Sequence, residues 1–143
     1  MNTLLVVEDE KLIRQGIVAM IRRSSVPVEE ILECRNGEEA LEILRKQRVD
    51  VMFTDIRMPK MDGIEMLKEL RAEGNDVSVI FLTAYSEFSY AQSALKLLAS
   101  DYLLKPFGDG ELEQAVNNAL EKRKRTQEKL ENSKDEPLPE LVL

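Results

Sequence analysis

Five short apolar runs alternate along the chain with five stretches in which apolar residues recur every three to four positions. Nothing else in the sequence restricts the fold as much. Apolar runs of strand length that lack strict alternation belong to strands covered on both faces, and such strands are parallel. The helical stretches between them supply both the covering layers and the crossovers. The runs are Thr3–Val7 (β1), Glu30–Cys34 (β2), 50–54 (β3), 77–82 (β4) and 101–104 (β5). The first helical stretch is 10–23 (α1), with Ile13, Ile17, Met20 and Ile21 on one face, and the second is 38–47 (α2), with Ala40, Leu41 and Leu44 inward. The third runs from Ile64 through Leu67 and Leu70 and stops near Glu73-Gly74-Asn75 (α3); the fourth is 86–97 (α4). The fifth (α5) starts at Asp109, which can cap it, and buries Leu112, Val116, Ala119 and Leu120. Val26-Pro27, Asn36-Gly37, Pro59 and Asp62-Gly63 punctuate the pattern.

The remaining bulk properties narrow the class. The chain has 143 residues, enough for one domain with its own core. No apolar run can span a bilayer and no secretory signal opens the sequence, so the expected location is cytoplasmic, with no membrane partner. Cys34 is the only cysteine, which rules out an internal disulfide. A net charge of −7 argues against nucleic-acid binding by this segment, because nonspecific affinity comes from neutralising phosphates with Lys and Arg. The basic run Lys122-Arg123-Lys124-Arg125 reads as a solvated helix face. With no histidine, His-based catalysis and His metal ligation are excluded. Residues 1–124 are expected to form the domain. Residues 125–143 read as an extension of α5, through about Leu130, followed by a linker. A weak heptad-like seam through Leu112, Val116, Ala119, Arg123, Thr126 and Leu130 permits a coiled coil, although a plain solvated helix end suits those residues better.

Right-handed crossovers lead to a flavodoxin-like (βα)5 three-layer sandwich with a parallel five-stranded sheet in order 2-1-3-4-5. In such sheets ligands sit beyond the carboxyl ends of the strands, where the winding reverses, here between β1 and β3. Glu8 and Asp9 follow β1, Asp55 follows β3, Thr83 and then Ala84 follow β4, and Lys105-Pro106 follows β5. Each has an ordinary explanation alone: an Asp or Thr after a strand caps or turns, and a Lys before Pro lies on the surface. Their joint placement on one sheet edge is harder to obtain from capping. Three carboxylates within a few ångströms repel strongly, about 4 kcal/mol per close pair at an effective dielectric near 20. Lys105 offsets only part of this, so the cluster calls for a hard dication. Oxygen-only ligands favour Mg²⁺. A carboxylate facing a metal-held phosphate is a competent nucleophile.

Four segments together resemble two-component response-regulator receiver domains. They are Val6-Val7-Glu8-Asp9-Glu10, Phe53-Thr54-Asp55-Ile56-Arg57-Met58-Pro59-Lys60-Met61-Asp62-Gly63, Leu82-Thr83-Ala84-Tyr85 and Asp101-Tyr102-Leu103-Leu104-Lys105-Pro106-Phe107. The resemblance covers about residues 2–124. It implies that Asp55 is the phosphoacceptor, that Asp9 binds Mg²⁺ directly with Glu8 helping through water, and that the Arg57 backbone carbonyl is a further ligand. Mn²⁺ is expected to substitute. It implies that Thr83 and Lys105 contact the phosphoryl oxygens, that Lys105-Pro106 is a cis peptide, and that Tyr102 turns inward when Thr83 moves. Arg57 and Tyr85 stand at positions that set the phosphoryl lifetime. Leu98 stands where the family usually has Gly, which puts the α4–β5 junction in doubt. Phe88, Tyr90 and Ala91 are similar to receivers of AraC-type transcription factors. The implied partners are a histidine kinase, a second copy through an α4–β5–α5 surface, and DNA only through an output domain outside this chain. The implied role is a switch that catalyses only its own phosphoryl transfer and loss.

Rival readings remain open from the residues alone. A flavin or nucleotide binder would need a small, hydroxyl-rich loop after β1, where Glu8-Asp9-Glu10 instead repels phosphate. An aspartate-nucleophile phosphatase would carry its nucleophile at the end of β1. A receiver acting only by protein contact would not need the full set of acids.

Overall fold

The computed structural model describes residues 2–84, 92, 99 and 101–135, with side chains of the last helix described through Thr126 and at Glu128. The predicted α4 over 86–97 lies outside the described residues apart from Gln92, as do Tyr85, Phe88, Tyr90, Ala91 and Leu98. The observed elements are β1 Thr3–Val7, α1 Lys11–Arg23, β2 Glu30–Cys34, α2 Gly37–Lys46, β3 Val51–Asp55, α3 Gly63–Ala72, β4 Ser78–Ala84, β5 Asp101–Lys105 and α5 Asp109–Asp135. The five strands form one parallel sheet in the order β2-β1-β3-β4-β5. This is the flavodoxin-like topology expected from the alternation. No described helix is long and apolar enough to cross a membrane.

Strand parity divides the core. Leu5, Val7, Met52, Val79 and Phe81 face one layer, packing with Ala40, Leu41 and Leu44 of α2 and Ile64, Met66, Leu67 and Leu70 of α3. Leu4, Val6, Val51, Phe53, Ile80 and Leu82 face the other, against Ile17, Val18 and Ile21 of α1 and Leu112, Ala115, Val116 and Ala119 of α5. Alternate side chains of one strand thus feed two cores, which is why β1, β4 and the first three residues of β3 are almost continuously apolar. Phe53 and Phe81 are fully buried, one in each core. Each contributes roughly 1.5–3 kcal/mol by leaving water.

The helix starts follow local chemistry. Asn36 caps α2 by accepting from the Glu39 N–H (2.9 Å), and Asp62 caps α3 by accepting from the Glu65 N–H (2.8 Å). Two expectations are corrected. Ile13 is 39% exposed, and the buried face of α1 is Ile17, Val18 and Ile21. Asp109 does not cap α5. Its carboxylate takes the Arg23 guanidinium of α1 in a two-pronged contact (2.7 and 2.8 Å), and Gly108 stands at the cap position.

The amino edge of the sheet is closed by one buried acid. Asp50 accepts from the Thr3 N–H (2.8 Å) and faces Arg48 (3.4 Å) and Arg123 of α5 (3.8 Å). Arg123 also donates to the Asp76 carbonyl (2.8 Å), tying α5 to the entrance of β4. Asp50→Ala strands the Thr3 N–H and leaves two guanidinium groups without this counter-charge. The expected loss is about 2–4 kcal/mol, read as a lower urea midpoint with an unchanged slope.

Candidate functional site

Parallel pairing carries three polar residues to the carboxyl edge, each inside its strand rather than just beyond it. Asp55 pairs with Leu82, Thr83 with Leu104, and Ala84 with Lys105. β4 therefore runs two residues past its predicted end. Asp55 and Lys105 are the last residues of β3 and β5, separated by β4. The Lys105 side chain spans that strand, and its Nζ donates to Asp55 Oδ2 at 3.1 Å. The Lys105–Pro106 peptide is cis.

Glu8 follows β1 and is only 3% exposed. Its N–H donates to the Cys34 carbonyl (3.1 Å). Burial, and then the negative charge of Asp55, push the Glu8 carboxyl up from 4.5 to about 7; Lys105 pulls the other way, and Asp9 and Glu10 add smaller upward pushes. Glu8 and Asp55 thus share one electrostatic pocket. Asp9 is exposed. The expectation of three carboxylates within a few ångströms is corrected: among the described residues no three acidic or thiol side chains are gathered as a ready-made chelate. The physical reason is visible. Lys105 holds the Asp55 carboxylate, and Asp9 is exposed at the start of the β1–α1 turn.

Thr83 is 1% exposed, and its hydroxyl donates to the Ala84 carbonyl (3.1 Å). Tyr102, on β5, is half-buried and packs against the core beneath α2 and α3. Arg57 is exposed in the loop between β3 and α3, where it lines a shallow cleft with Met58, Lys60, Asp62 and Glu65. In the same loop Lys60 adopts a left-handed φ of 70°.

Residues 4–117 match the family model described as the response regulator receiver domain. The chain belongs to the response-regulator receiver family. This receiver is 32% identical over 125 residues to YesN, an uncharacterized transcriptional regulatory protein of Bacillus subtilis; the match covers 87% of this chain and 34% of that one. Among solved structures it is similar to a response regulator receiver domain protein from Clostridium thermocellum (31% identity, TM-score 0.81, covering 88% of this chain and 99% of that one). It is also similar to a two-component transcriptional regulator AraC from Clostridium phytofermentans (35% identity, TM-score 0.74, covering 85% and 97%). The chain spans about a third to a half of the length of the first curated relatives it matches.

Three further residues support the receiver site. Thr54 is fully buried, and its hydroxyl donates to the Asp55 carbonyl (3.0 Å), which steadies the backbone that bears the acid. Gly63 donates its N–H to the Ile56 carbonyl (2.7 Å) and brings α3 directly onto the end of β3. Arg14, on α1, reaches back to the Glu8 carbonyl (2.8 Å). Of these, Gly63 had a detectable sign in the sequence, as the glycine after a capping Asp.

Proposed function

We propose that this receiver is a phosphorylation switch in a two-component signalling system, with Asp55 as phosphoacceptor and a histidine kinase as donor. The observation that carries this reading is the Lys105–Asp55 contact of 3.1 Å beside the buried, proton-avid Glu8. A half-buried carboxylate, oriented by a cation and open on one side, suits in-line attack on phosphorus. The bond from Asp55 oxygen to phosphorus forms as the bond from phosphorus to the donor's leaving group breaks. Lys105 then has a second task, since its ammonium can follow the charge onto the transferred group's oxygens. Thr83 would move, giving up the Ala84 carbonyl, to donate its hydroxyl to a phosphoryl oxygen. Tyr102, on the neighbouring strand, would follow it inward and alter the surface formed by α4, β5 and α5.

The donor set fits Mg²⁺. Mg²⁺ uses one or two carboxylates and keeps several waters, so it does not require the tight chelate that is missing among the described residues. Asp9, Asp55 and the Arg57 carbonyl would hold it, with Glu8 acting through water and Mn²⁺ able to substitute. When bound, it supplies charge neutralisation between phosphate and carboxylates. The output is proposed to be transcription through a further domain, because relatives named as transcriptional regulators extend well beyond the matched region. DNA would be met there, and a second copy through α4–β5–α5. The chain itself is proposed to act as a switch rather than as a turnover enzyme.

The test is intact-mass labelling with acetyl phosphate. The unmodified protein should gain one phosphoryl group only when Mg²⁺ is present. Asp55→Ala should gain none while keeping its circular dichroism spectrum. Equal labelling of that variant would move the acceptor elsewhere.

A further inference from the structure

Both backbone groups of Glu8 are tied down. The N–H is held by β2 through the Cys34 carbonyl, and the carbonyl is held by Arg14 Nη1 at 2.8 Å. Arg14 sits one turn into α1, and its Nε also meets Glu33 of β2 at 3.3 Å. The two partners are differently exposed. The Arg14 side chain is 14% exposed and that of Glu33 is 40% exposed. An arginine serving only a surface ion pair would keep its guanidinium in water. This one is drawn inward to a peptide carbonyl at the start of the acidic turn Glu8-Asp9-Glu10. Arg14 thus meets the turn at its backbone, through the hydrogen bond to the Glu8 carbonyl.

We propose that Arg14 is a positioning residue that clamps the β1–α1 turn, so that the carboxylates of Glu8 and Asp9 are presented together toward the end of β3 for a divalent cation. This inference rests on the phosphorylation reading above. The physical need is clear: the turn carries three consecutive acids whose mutual repulsion favours splaying, and one fork-shaped donor anchored to both α1 and β2 opposes it. A partner outside the metal's ligands that orients them commonly changes metal affinity by about 10–100-fold when it is removed.

The test uses the full 143-residue chain and two readouts. Direct binding is followed by electron paramagnetic resonance of free Mn²⁺ during titration. Acetyl phosphate labelling is followed as a function of Mg²⁺. Arg14→Met should weaken Mn²⁺ binding roughly tenfold and raise the half-saturating Mg²⁺ by the same factor, with labelling at saturating Mg²⁺ within about twofold of the parent. Arg14→Lys, which keeps the charge and one donor, should fall between them. Glu33→Gln, which leaves the link to the Glu8 carbonyl intact, should bind Mn²⁺ as the parent does. Unchanged Mn²⁺ binding in Arg14→Met overturns the clamp while leaving phosphorylation standing. So does a labelling defect that saturating Mg²⁺ fails to repair, because it marks general loss of structure. A parent protein that neither binds Mn²⁺ nor labels overturns both readings together.

Discussion

Replacing Gly63 with alanine is expected to cost about 2–4 kcal/mol of folding stability, at the upper end of what overpacking causes. A Cβ at this position would lie 2.6 Å from the Asp55 carbonyl oxygen, 2.7 Å from Phe81 Cε1 and 3.3 Å from Ile56 Cα. None of these atoms belongs to a flexible side-chain end. The oxygen and Cα are backbone at the end of β3, and Phe81 is fully buried in the core beneath α2 and α3. Either α3 retreats, breaking the Gly63–Ile56 hydrogen bond of 2.7 Å, or the end of β3 shifts and takes Asp55 with it. Urea unfolding followed by circular dichroism should show a lower midpoint with an unchanged slope. Labelling of the folded fraction should also slow, because the acceptor's own carbonyl is the atom being pushed. A midpoint within about 0.5 kcal/mol of the parent would show that the interface yields easily, and the close approach would then carry no structural weight.

The fold was legible because its signals are periodic and additive. β1 and β4 are apolar at consecutive positions, which only two-sided burial explains, and the structure sends Leu4 and Leu5, or Ile80 and Phe81, to opposite cores. The edge carrying the site was legible for a related reason: polar residues that abruptly end apolar runs mark where strands emerge. The misplacements share a cause as well. β4 was predicted to stop at Leu82, because Thr83 interrupts the apolar run; pairing with Leu104 nevertheless keeps Thr83 in the ladder, and its hydroxyl finds a carbonyl at the strand end. Asp109 looked like a cap, but a cationic partner 86 positions earlier claimed its carboxylate. The exposure of Asp9 and the inward turn of Arg14 depend on how charges in separate segments share space, which no local pattern encodes. The close fit at Gly63 belongs to the same class, since it is set by α3 meeting β3 and β4.

The stability of the metal-free protein should fall as pH rises from about 4.5 to about 7, and Glu8 should be the main cause. Its carboxyl is raised from 4.5 to about 7, chiefly by burial and next by the charge of Asp55. Within that window the folded chain holds a proton that the unfolded chain has released, so the folded state loses ground with each increment of pH. Above about pH 7 the carboxylate is ionised in both states and the slope ends. The accumulated loss is on the order of 3 kcal/mol. Glu8→Gln keeps the volume and removes the titration. It should flatten most of this dependence and be the more stable protein at about pH 8 in the presence of a chelator. Lys105→Met should extend the dependence to higher pH in the parent background, because Lys105 is the one nearby group that favours the ionised form of Glu8. Urea titrations from about pH 5 to about pH 8 decide the matter. Parallel profiles for the parent and Glu8→Gln would assign the pH dependence to other groups and remove the strained acid from the account of the site. Mg²⁺ at this edge should flatten the parent profile, since the cation favours the same ionised carboxylate that burial penalises, and should stabilise Glu8→Gln without restoring a pH slope.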